Sequence, residues 1–349
     1  MGETMKAVDI KDGKGPATAL FINDATPKPV PKPGEALVRV KAFGLNRMDL
    51  IQREGKYPVP PQAPSTLGVE FSGTVESLGP APGSHDDNGN DGDGDGDDFK
   101  PGDAVFGLAY GGAYAQWIAV PTAMLLRKPA SLTWEQAAGI PETWMTATQA
   151  LHLVGEFSEG GTALWHAGAS GVSIAGIQLS RRAGAAAVYA TAGSDEKCAF
   201  AERELGAARA FNYRSGDWSR QVLDATGGRG VDLIVDFVGA GYFAQNLAAA
   251  ARDARWVMLG LLGGSRLPEG VDIGALLYKR VRVEGSTLRS RDLAYQRRLR
   301  DRLAEYLPDF ESGALKIFID AVLPMEEIVK AHQLMEENKT RGKIICTVL

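Results

Sequence analysis

One stretch of this sequence reads as a buried strand, a glycine turn and a helix in immediate succession. It runs Leu164-Trp-His-Ala-Gly-Ala-Ser-Gly-Val-Ser-Ile-Ala-Gly-Ile-Gln-Leu179. Gly168 can form the tight turn, and Gly171 lets the backbone approach a pyrophosphate, whose charge the free N–H groups at the helix start would stabilise. Ser173 stands where a third glycine is usual, and we interpret it as a small residue that still allows close packing. The stretch therefore predicts a dinucleotide-binding βαβ unit.

The pattern of predicted secondary structure changes near residue 130. A chain of 349 residues is also long enough to form two domains. Residues 1–129 alternate short β-rich runs, such as Glu35-Ala-Leu-Val-Arg-Val-Lys-Ala-Phe43, with Pro/Gly turns, which indicates an antiparallel, strand-rich domain. Across 130–288 helix and strand patterns alternate, which predicts an α/β domain with a doubly wound parallel sheet. We assign the tail, residues 289–349, back to the first domain.

Composition excludes several classes of protein. The two cysteines, Cys198 and Cys346, are far apart, so we expect neither a disulfide framework nor a four-cysteine zinc site. No apolar run approaches the roughly 18 residues of a membrane helix, and the first residues do not resemble a signal peptide. We therefore expect a cytoplasmic protein with no membrane partner. Cys346-Thr-Val-Leu349 fits a prenylation box, but we interpret it as part of a closing strand.

Residues 83–98 form a low-complexity acidic stretch. Its seven aspartates carry more than the whole net charge of −5, so the rest of the chain is nearly neutral and offers no extended basic surface for nucleic acid. We predict a disordered, solvated loop. The start at Asp91 resembles a calcium loop, but Gly102 stands where a bidentate Glu is required, so we reject an EF-hand.

The residues after the second strand of the βαβ unit bear on the choice of cofactor. NAD-binding folds place an acidic residue there, roughly 20 residues past the glycines. Here the strand ends in Thr191-Ala-Gly-Ser194, and Gly193 leaves room for a 2′-phosphate to which Ser194 can donate. Lys197 adds a positive charge one helical turn on. Against this, Asp195 and Glu196 would repel a phosphate unless they point to solvent. The pattern favours NADPH.

Several longer motifs stand along the chain beside the glycine turn. They are Leu45-Asn-Arg-Met-Asp-Leu-Ile-Gln-Arg53, Leu67-Gly-Val-Glu-Phe-Ser-Gly73, Ile140-Pro-Glu-Thr-Trp-Met-Thr-Ala147, His166-Ala-Gly-Ala-Ser-Gly-Val172, Thr191-Ala-Gly-Ser194, Phe211-Asn-Tyr213, Leu288-Arg-Ser-Arg-Asp292 and Gly342-Lys-Ile-Ile345. Together they resemble the zinc-free medium-chain dehydrogenases/reductases of the zeta-crystallin-like quinone oxidoreductase branch, in particular the stress-inducible (tumour-suppressor-induced) quinone reductases. The resemblance covers nearly the whole chain and implies a Rossmann domain inserted in a GroES-like, partly open barrel domain.

The resemblance also implies the chemistry. Zinc-dependent members carry a Gly-His-Glu motif and an earlier cysteine, where this chain has Gly68-Val-Glu70 and Asn46, so we predict no metal site and no alcohol oxidation. The implied reaction is hydride transfer from NADPH to a quinone, with one-electron release of semiquinone as a family variant. The alternatives are an enone or enoyl reductase of a biosynthetic pathway and a non-catalytic NADPH-binding sensor. Family members also form homodimers through an edge of the Rossmann sheet.

The implied site residues each have a plainer interpretation beside them. Asn46 and Tyr57 are implied on the nicotinamide and substrate side, although Asn46 also fits a helix cap and Tyr57 fits surface packing. His166, His152 and Glu70 fit structural roles better than catalysis. The residues implied to bind the cofactor are Asn46, Thr146, Gly168, Ala169, Ser170, Gly171, Val172, Gly193, Ser194, Lys197, Tyr213, Phe237, Leu259 and Leu261.

Overall fold

The computed structural model describes residues 2–80 and 99–349. The acidic stretch 83–98, predicted to be a disordered loop, lies outside the described residues. The chain divides into two compact units. The first consists of Met1–Glu142 and Arg289–Leu349, and the second consists of Thr143–Leu288.

The described residues contain the following strands and α-helices. Strands β1 to β7 are Thr4–Ile10, Leu20–Pro27, Glu35–Gly44, Glu70–Leu78, Ala104–Leu108, Trp117–Pro121 and Leu125–Arg127. Strands β8 to β15 are Thr162–Trp165, Ala187–Ala192, Arg209–Asn212, Val231–Asp236, Ala250–Met258, Arg282–Gly285, Ile319–Pro324 and Lys343–Thr347. Helices α1 to α6 are Arg47–Arg53, Trp134–Ala138, Pro141–Thr148, Gly171–Arg182, Asp195–Arg203 and Trp218–Ala225. Helices α7 to α11 are Phe243–Ala249, Gly274–Lys279, Leu293–Ala304, Leu307–Ser312 and Ile328–Glu336.

The first unit is built on a mostly antiparallel seven-stranded sheet. Its order is β14-β15-β3-β4-β5-β7, and β6 pairs with β3 on its own. Strand β15 runs antiparallel to β3, with Cys346 opposite Phe43. The last strand of the chain therefore joins the same sheet as β3 to β7. Cys346 is fully buried in this strand, which agrees with its interpretation as part of a closing strand.

The second unit begins at Thr143 rather than at residue 130, because α2 belongs to the first unit. Ala138 at the end of α2 packs in a small core with Ala42 and Ile345 of the first sheet. The hydroxyl of Ser72 in β4 also donates to the Trp134 carbonyl oxygen, at 2.7 Å. The change of sequence pattern near residue 130 therefore comes one short helix before the boundary between the two units.

The second unit confirms the predicted doubly wound parallel sheet. Its six strands lie in the order β10-β9-β8-β11-β12-β13, and every neighbouring pair is parallel. The strand order reverses between β8 and β11, and ligands bind at the carboxyl ends of strands at such switch points. Strand β8 is buried along its whole length, as expected for an inner parallel strand.

Two elements of the second unit show no clear pattern in the sequence. Strand β12 starts at Ala250 and is irregular at Asp253, which adopts a left-handed φ of 64° where the register with β11 shifts. Helix α8 was not predicted, since none of its six residues is buried and its pattern is too short to show a period. Among the described helices, none combines the length and apolar character needed to cross a bilayer.

Candidate active site

The glycine turn after β8 lies where the sequence predicts it. The Ser170 N–H donates to the Ala167 carbonyl oxygen at 2.8 Å, so Gly168 stands inside the turn. The left-handed residue of the turn is Ala167, with φ 51°. Gly168 allows close approach, because a Cβ there would lie 2.9 Å from the Cβ of Ala190 in β9. Its N–H donates to the Thr191 carbonyl oxygen at 2.8 Å, so the glycine packs the turn on β9.

Helix α4 starts directly after this turn with a serine pair. Ser170 is the N-cap, and its hydroxyl oxygen accepts from the Ser173 N–H at 3.4 Å. The hydroxyl of Ser173, buried at the position of the usual third glycine, donates to the His166 carbonyl oxygen at 2.6 Å. Ser173 thus ties the helix to the end of β8, while Gly171 and Val172 form the first turn, where backbone N–H groups lack intrahelical partners.

His166 at the end of β8 is a structural residue. Its Nε2 lies 2.7 Å from the Asn246 side-chain oxygen and its Nδ1 lies 2.9 Å from the Thr191 hydroxyl. The ring also packs edge-on against Trp218 and Tyr242. Burial lowers the pKa of the imidazole and keeps it neutral. Because both ring nitrogens are engaged in the core, the plainer interpretation of His166 is supported.

The predicted 2′-phosphate residues follow β9 and lie beside the end of β10. Ser194 caps α5, its hydroxyl oxygen accepting from the Lys197 N–H at 3.3 Å. A Cβ on Gly193 would lie 2.5 Å from the Tyr213 hydroxyl, so the tyrosine contacts the backbone of this turn. The Tyr213 N–H donates to the Ala192 carbonyl oxygen at 3.1 Å. The structure therefore brings Gly193, Ser194 and Tyr213 together.

Two charged residues, Asp195 and Arg214, stand next to these predicted phosphate-binding residues. The carboxylate of Asp195, which could compete with a phosphate, accepts from the Asn212 amide at 2.7 Å. Arg214, which the sequence analysis missed, places its guanidinium 6.0 Å from the centre of the Tyr213 ring. A signal for Arg214 was present, since it directly follows the Phe211-Asn-Tyr213 motif.

The remaining predicted cofactor residues of the second unit follow β11 and β12 or lie in α3. Leu259 donates its N–H to the Asp236 carbonyl oxygen at 2.7 Å, and Leu262 donates to the Phe237 carbonyl oxygen at 3.0 Å, so the two strand ends are joined. Leu261 is about half exposed. In α3, the Thr146 hydroxyl is buried and has no hydrogen-bond partner within the described part of the chain.

In the first unit, Asn46 is held by a buried ion pair. The ammonium of Lys343 lies 2.6 Å from Glu70 Oε1, with the two side chains 5% and 0% exposed. The same ammonium donates to Asn46 Oδ1 at 2.8 Å and to the Leu45 carbonyl oxygen at 2.7 Å. Asn46 Nδ2 in turn donates to Glu70 Oε1 at 2.9 Å. The amide of Asn46 is therefore oriented by Lys343 and Glu70.

Two further carboxyls lie near this ion pair, the fully buried one of Asp49 and the partly buried one of Glu142. Asp49 Oδ2 accepts from the Asn46 N–H at 2.8 Å and from the Tyr114 hydroxyl at 3.0 Å, and burial raises the pKa of Asp49 to about 6. The Glu142 N–H donates to Glu70 Oε2 at 2.9 Å. Burial, and then the negative charge of Glu70, raise the pKa of the Glu142 carboxyl to about 8.

Tyr57 is half-buried and faces a guanidinium. The Arg289 guanidinium carbon lies 5.5 Å from the centre of the Tyr57 ring. Arg289 is itself fixed by donating to the Gln52 side-chain oxygen at 2.6 Å and to the Tyr110 carbonyl oxygen at 2.5 Å. Burial raises the pKa of the Tyr57 hydroxyl, which stays protonated at neutral pH. Tyr57 is therefore part of a polar cluster and not simple surface packing.

Four ionisable residues were not predicted as site residues: Asp49, Glu142, Arg289 and Lys343. All four stand inside motifs that carried the family resemblance. An ionisable residue within a family motif was the signal that could have found them.

Comparison with known proteins agrees with this architecture. Residues 32–130 match the alcohol dehydrogenase GroES-like domain, and residues 171–305 match the zinc-binding dehydrogenase domain. The chain is 30% identical to quinone oxidoreductase-like protein 2 of Bos taurus over 332 residues, covering 94% of this chain and 89% of the relative. The chain belongs to the medium-chain dehydrogenase/reductase family.

Solved structures of this family superpose along almost the full chain. Escherichia coli quinone oxidoreductase complexed with NADPH is 26% identical, with a TM-score of 0.82 over 98% of this chain and 99% of that one. An NAD-dependent alcohol dehydrogenase is 31% identical, also with a TM-score of 0.82, over 99% of this chain and 100% of that one. The likeness thus extends to family members named for different substrates and cofactors.

The zinc named in one domain description does not fit the residues present. Val69 has no ligating atom, and the amide of Asn46 is bonded to Lys343 and Glu70. Glu70 is neutralised by the ammonium. Within residues 2–80 and 99–349, no group of three or more His, Cys, Asp or Glu side chains is placed to hold a metal ion.

Proposed function

We propose that this chain is an NADPH-dependent reductase that transfers a hydride to a quinone without a metal ion. The observation that carries the proposal is the Asn46–Glu70–Lys343 cluster, in which the ammonium of Lys343 fixes Asn46, the residue that the resemblance matches to the cysteine of zinc-dependent members. The likeness to an Escherichia coli quinone oxidoreductase complexed with NADPH supports the same conclusion. A quinone accepts hydride readily, so an enzyme without a Lewis acid can reduce it by positioning alone.

The chain's own residues would position the reactants. When bound, NADPH supplies a hydride from its nicotinamide ring. The N–H groups at the start of α4 and the positive end of its dipole suit the pyrophosphate, and Arg181 and Arg182 balance the other end of the helix. One hydrogen of Asn46 Nδ2 is used by Glu70, and the second is left to donate to a carbonyl oxygen.

The preference for NADPH rests on the residues after β9 and β10. Ser194 and Lys197 would bind the 2′-phosphate, and the guanidinium of Arg214 adds positive charge beside Tyr213. Asp195 is occupied by Asn212, which reduces its competition with a phosphate.

The cofactor assignment is tested by Lys197→Ala. It should weaken NADPH binding at least tenfold more than NADH binding, because only NADPH carries the phosphate. Lys330→Ala, which removes an exposed lysine of α11 paired with Glu327, serves as the matched control and should change neither affinity. Equal losses for both cofactors in Lys197→Ala would refute the assignment.

The substrate class is tested by NADPH oxidation with a panel of quinones and a panel of conjugated enones. We expect turnover of quinones to be faster. If the protein reduces enones but no quinone, the substrate class is a conjugated alkene and not a quinone. If the protein binds NADPH but reduces neither class of substrate, it is an NADPH-binding protein, and the proposed enzymatic activity is refuted.

A homodimer is the partner we propose, joined through the edge of the parallel sheet. Strand β13 ends that sheet, and all four of its residues are exposed. Leu277 and Tyr278 of the neighbouring α8 are each 74% exposed, which is unusual for large apolar side chains. Sedimentation should show a dimer that Leu277→Asp weakens. A monomeric wild-type chain would contradict the dimer.

A further inference from the structure

Three buried polar atoms of the first unit have no hydrogen-bond partner among the described residues. They are Oε2 of Glu142, Oδ1 of Asp49 and Nη2 of Arg289. Buried polar groups in folded proteins are nearly always satisfied, and each exception has a physical cause such as strain, a bound water or ion, or a catalytic role. All three belong to residues of the first unit near Asn46 and Tyr57, which the family resemblance implies on the nicotinamide and substrate side.

The charges around Glu142 come from four directions. Glu70 on β4 and Asp49 on α1 disfavour its ionised form, while Lys343 on β15 and Arg289 favour that form more weakly. Burial is the largest influence, and together they leave the pKa of Glu142 at about 8. The neighbouring Glu70 is paired with the Lys343 ammonium at 2.6 Å, whereas the Glu142 carboxyl has no ammonium or guanidinium within ion-pair distance among the described residues.

We propose that Glu142 is a catalytic acid, which donates the proton that accompanies hydride transfer to the acceptor. This inference rests on the proposed function. A hydride is equivalent to two electrons and one proton. A quinone that takes up a hydride therefore becomes the monoanion of the hydroquinone. The Glu142 O–H bond then breaks, a new O–H bond forms on the second oxygen, and neutral hydroquinone is produced. The Glu142 carboxylate that remains takes a proton from water before the next turnover.

The geometry favours Glu142 over the other acids of the cluster. Both oxygens of Glu70 accept hydrogen bonds, one from Asn46 and the Lys343 ammonium and the other from Glu142 N–H, so Glu70 has no proton to give. Asp49 has one oxygen committed to Tyr114 and Asn46, and its pKa of about 6 leaves it mostly ionised at neutral pH. Glu142 alone combines an unbonded oxygen with a proton at pH 7.

The test compares wild type with Glu142→Gln, which keeps the size of the side chain and removes its proton. For wild type, kcat with menadione should fall as pH rises through about 8. Glu142→Gln should lower kcat by about 10²- to 10⁴-fold, with NADPH affinity unchanged and no such fall with pH. Glu142→Asp, which keeps an acidic proton, should retain a falling limb. Glu337→Gln, the same change at an exposed site paired with Lys339, is the control. A kcat of Glu142→Gln within about twofold of wild type, with the falling limb intact, would overturn the proposal.

A second measurement separates failure of this inference from failure of the proposed function. Infrared difference spectra should show a protonated-carboxyl band at pH 7 that is missing in Glu142→Gln and shifts when menadione is added. If wild type turns over no quinone, the proposed function fails, and the band still decides the role of Glu142. A band that is missing at pH 7, or one that menadione leaves unchanged, would overturn it.

Discussion

The buried ion pair between Lys343 and Glu70 gives the sharpest prediction about stability. Lys343→Met keeps most of the volume of the side chain but removes the ammonium, which makes three contacts of 2.6 to 2.8 Å with Glu70, Leu45 and Asn46. Glu70 is fully buried, so its carboxylate would be left without a counter-charge. Removing one partner of a buried pair typically costs about 3–5 kcal/mol.

The structure places the expected cost at the lower end of that range. Glu70 would keep two donors, Asn46 Nδ2 and the Glu142 N–H, which partly satisfy its oxygens. We therefore expect a loss of about 3 kcal/mol. At ~2–4 °C per kcal/mol, the thermal midpoint of the first unit should fall by about 6–12 °C.

The assay is thermal unfolding followed by calorimetry, with two further variants. Lys343→Met combined with Glu70→Gln removes both charges and should recover about 1–2 kcal/mol relative to the sum of the single changes. Lys330→Met, an exposed lysine paired with Glu327, should change stability by less than about 0.5 kcal/mol. The reasoning is refuted if Lys343→Met unfolds within 2 °C of wild type, or if the double variant shows no recovery.

Three other predictions concern Ser173, Ala167 and Glu142. Ser173→Ala should cost about 1–3 kcal/mol, measured by urea unfolding, because it leaves the buried His166 carbonyl oxygen without its donor; a neutral effect would contradict the serine tie. Ala167→Gly should stabilise by up to about 1 kcal/mol, since a glycine relieves the φ of 51°, and any clear destabilisation would count against that strain. The free energy of unfolding of wild type should fall relative to that of Glu142→Gln as pH rises from about 4.5 to 8, because the native carboxyl keeps a proton that the unfolded chain has lost. A pH-independent difference between the two would show that Glu142 is ionised in the native protein.

The fold could be predicted wherever the signal was local. The alternation of buried strands and helices identified the parallel sheet, because each strand and its following helix are encoded by adjacent residues. The glycine turn was located correctly, but the packing that requires its first glycine was not visible in the sequence. Gly168 is glycine because Ala190 on a different strand leaves no room for a Cβ, and sequence spacing does not show which strand becomes the neighbour.

The candidate site was harder to predict for the same reason. Asn46 was identified through its family motif, yet the residue that orients it, Lys343, lies 297 positions away in sequence. The pair forms only because β15 returns to β3 and completes the first sheet. The raised pKa of Glu142 likewise depends on Glu70, 72 positions earlier, whose carboxylate contacts its backbone N–H. Such long-range charge pairs leave no period or spacing in the sequence.

The central claim is hydride transfer to a quinone without a metal. The most direct measurement is NADPH oxidation with menadione by protein dialysed against a chelator, with metal content determined on the same sample. We predict full turnover in the metal-free sample, no gain on adding zinc, and no oxidation of primary alcohols with NADP⁺. Loss of activity on chelation that zinc restores, or a metal-free protein that binds NADPH and reduces no quinone, would contradict the account.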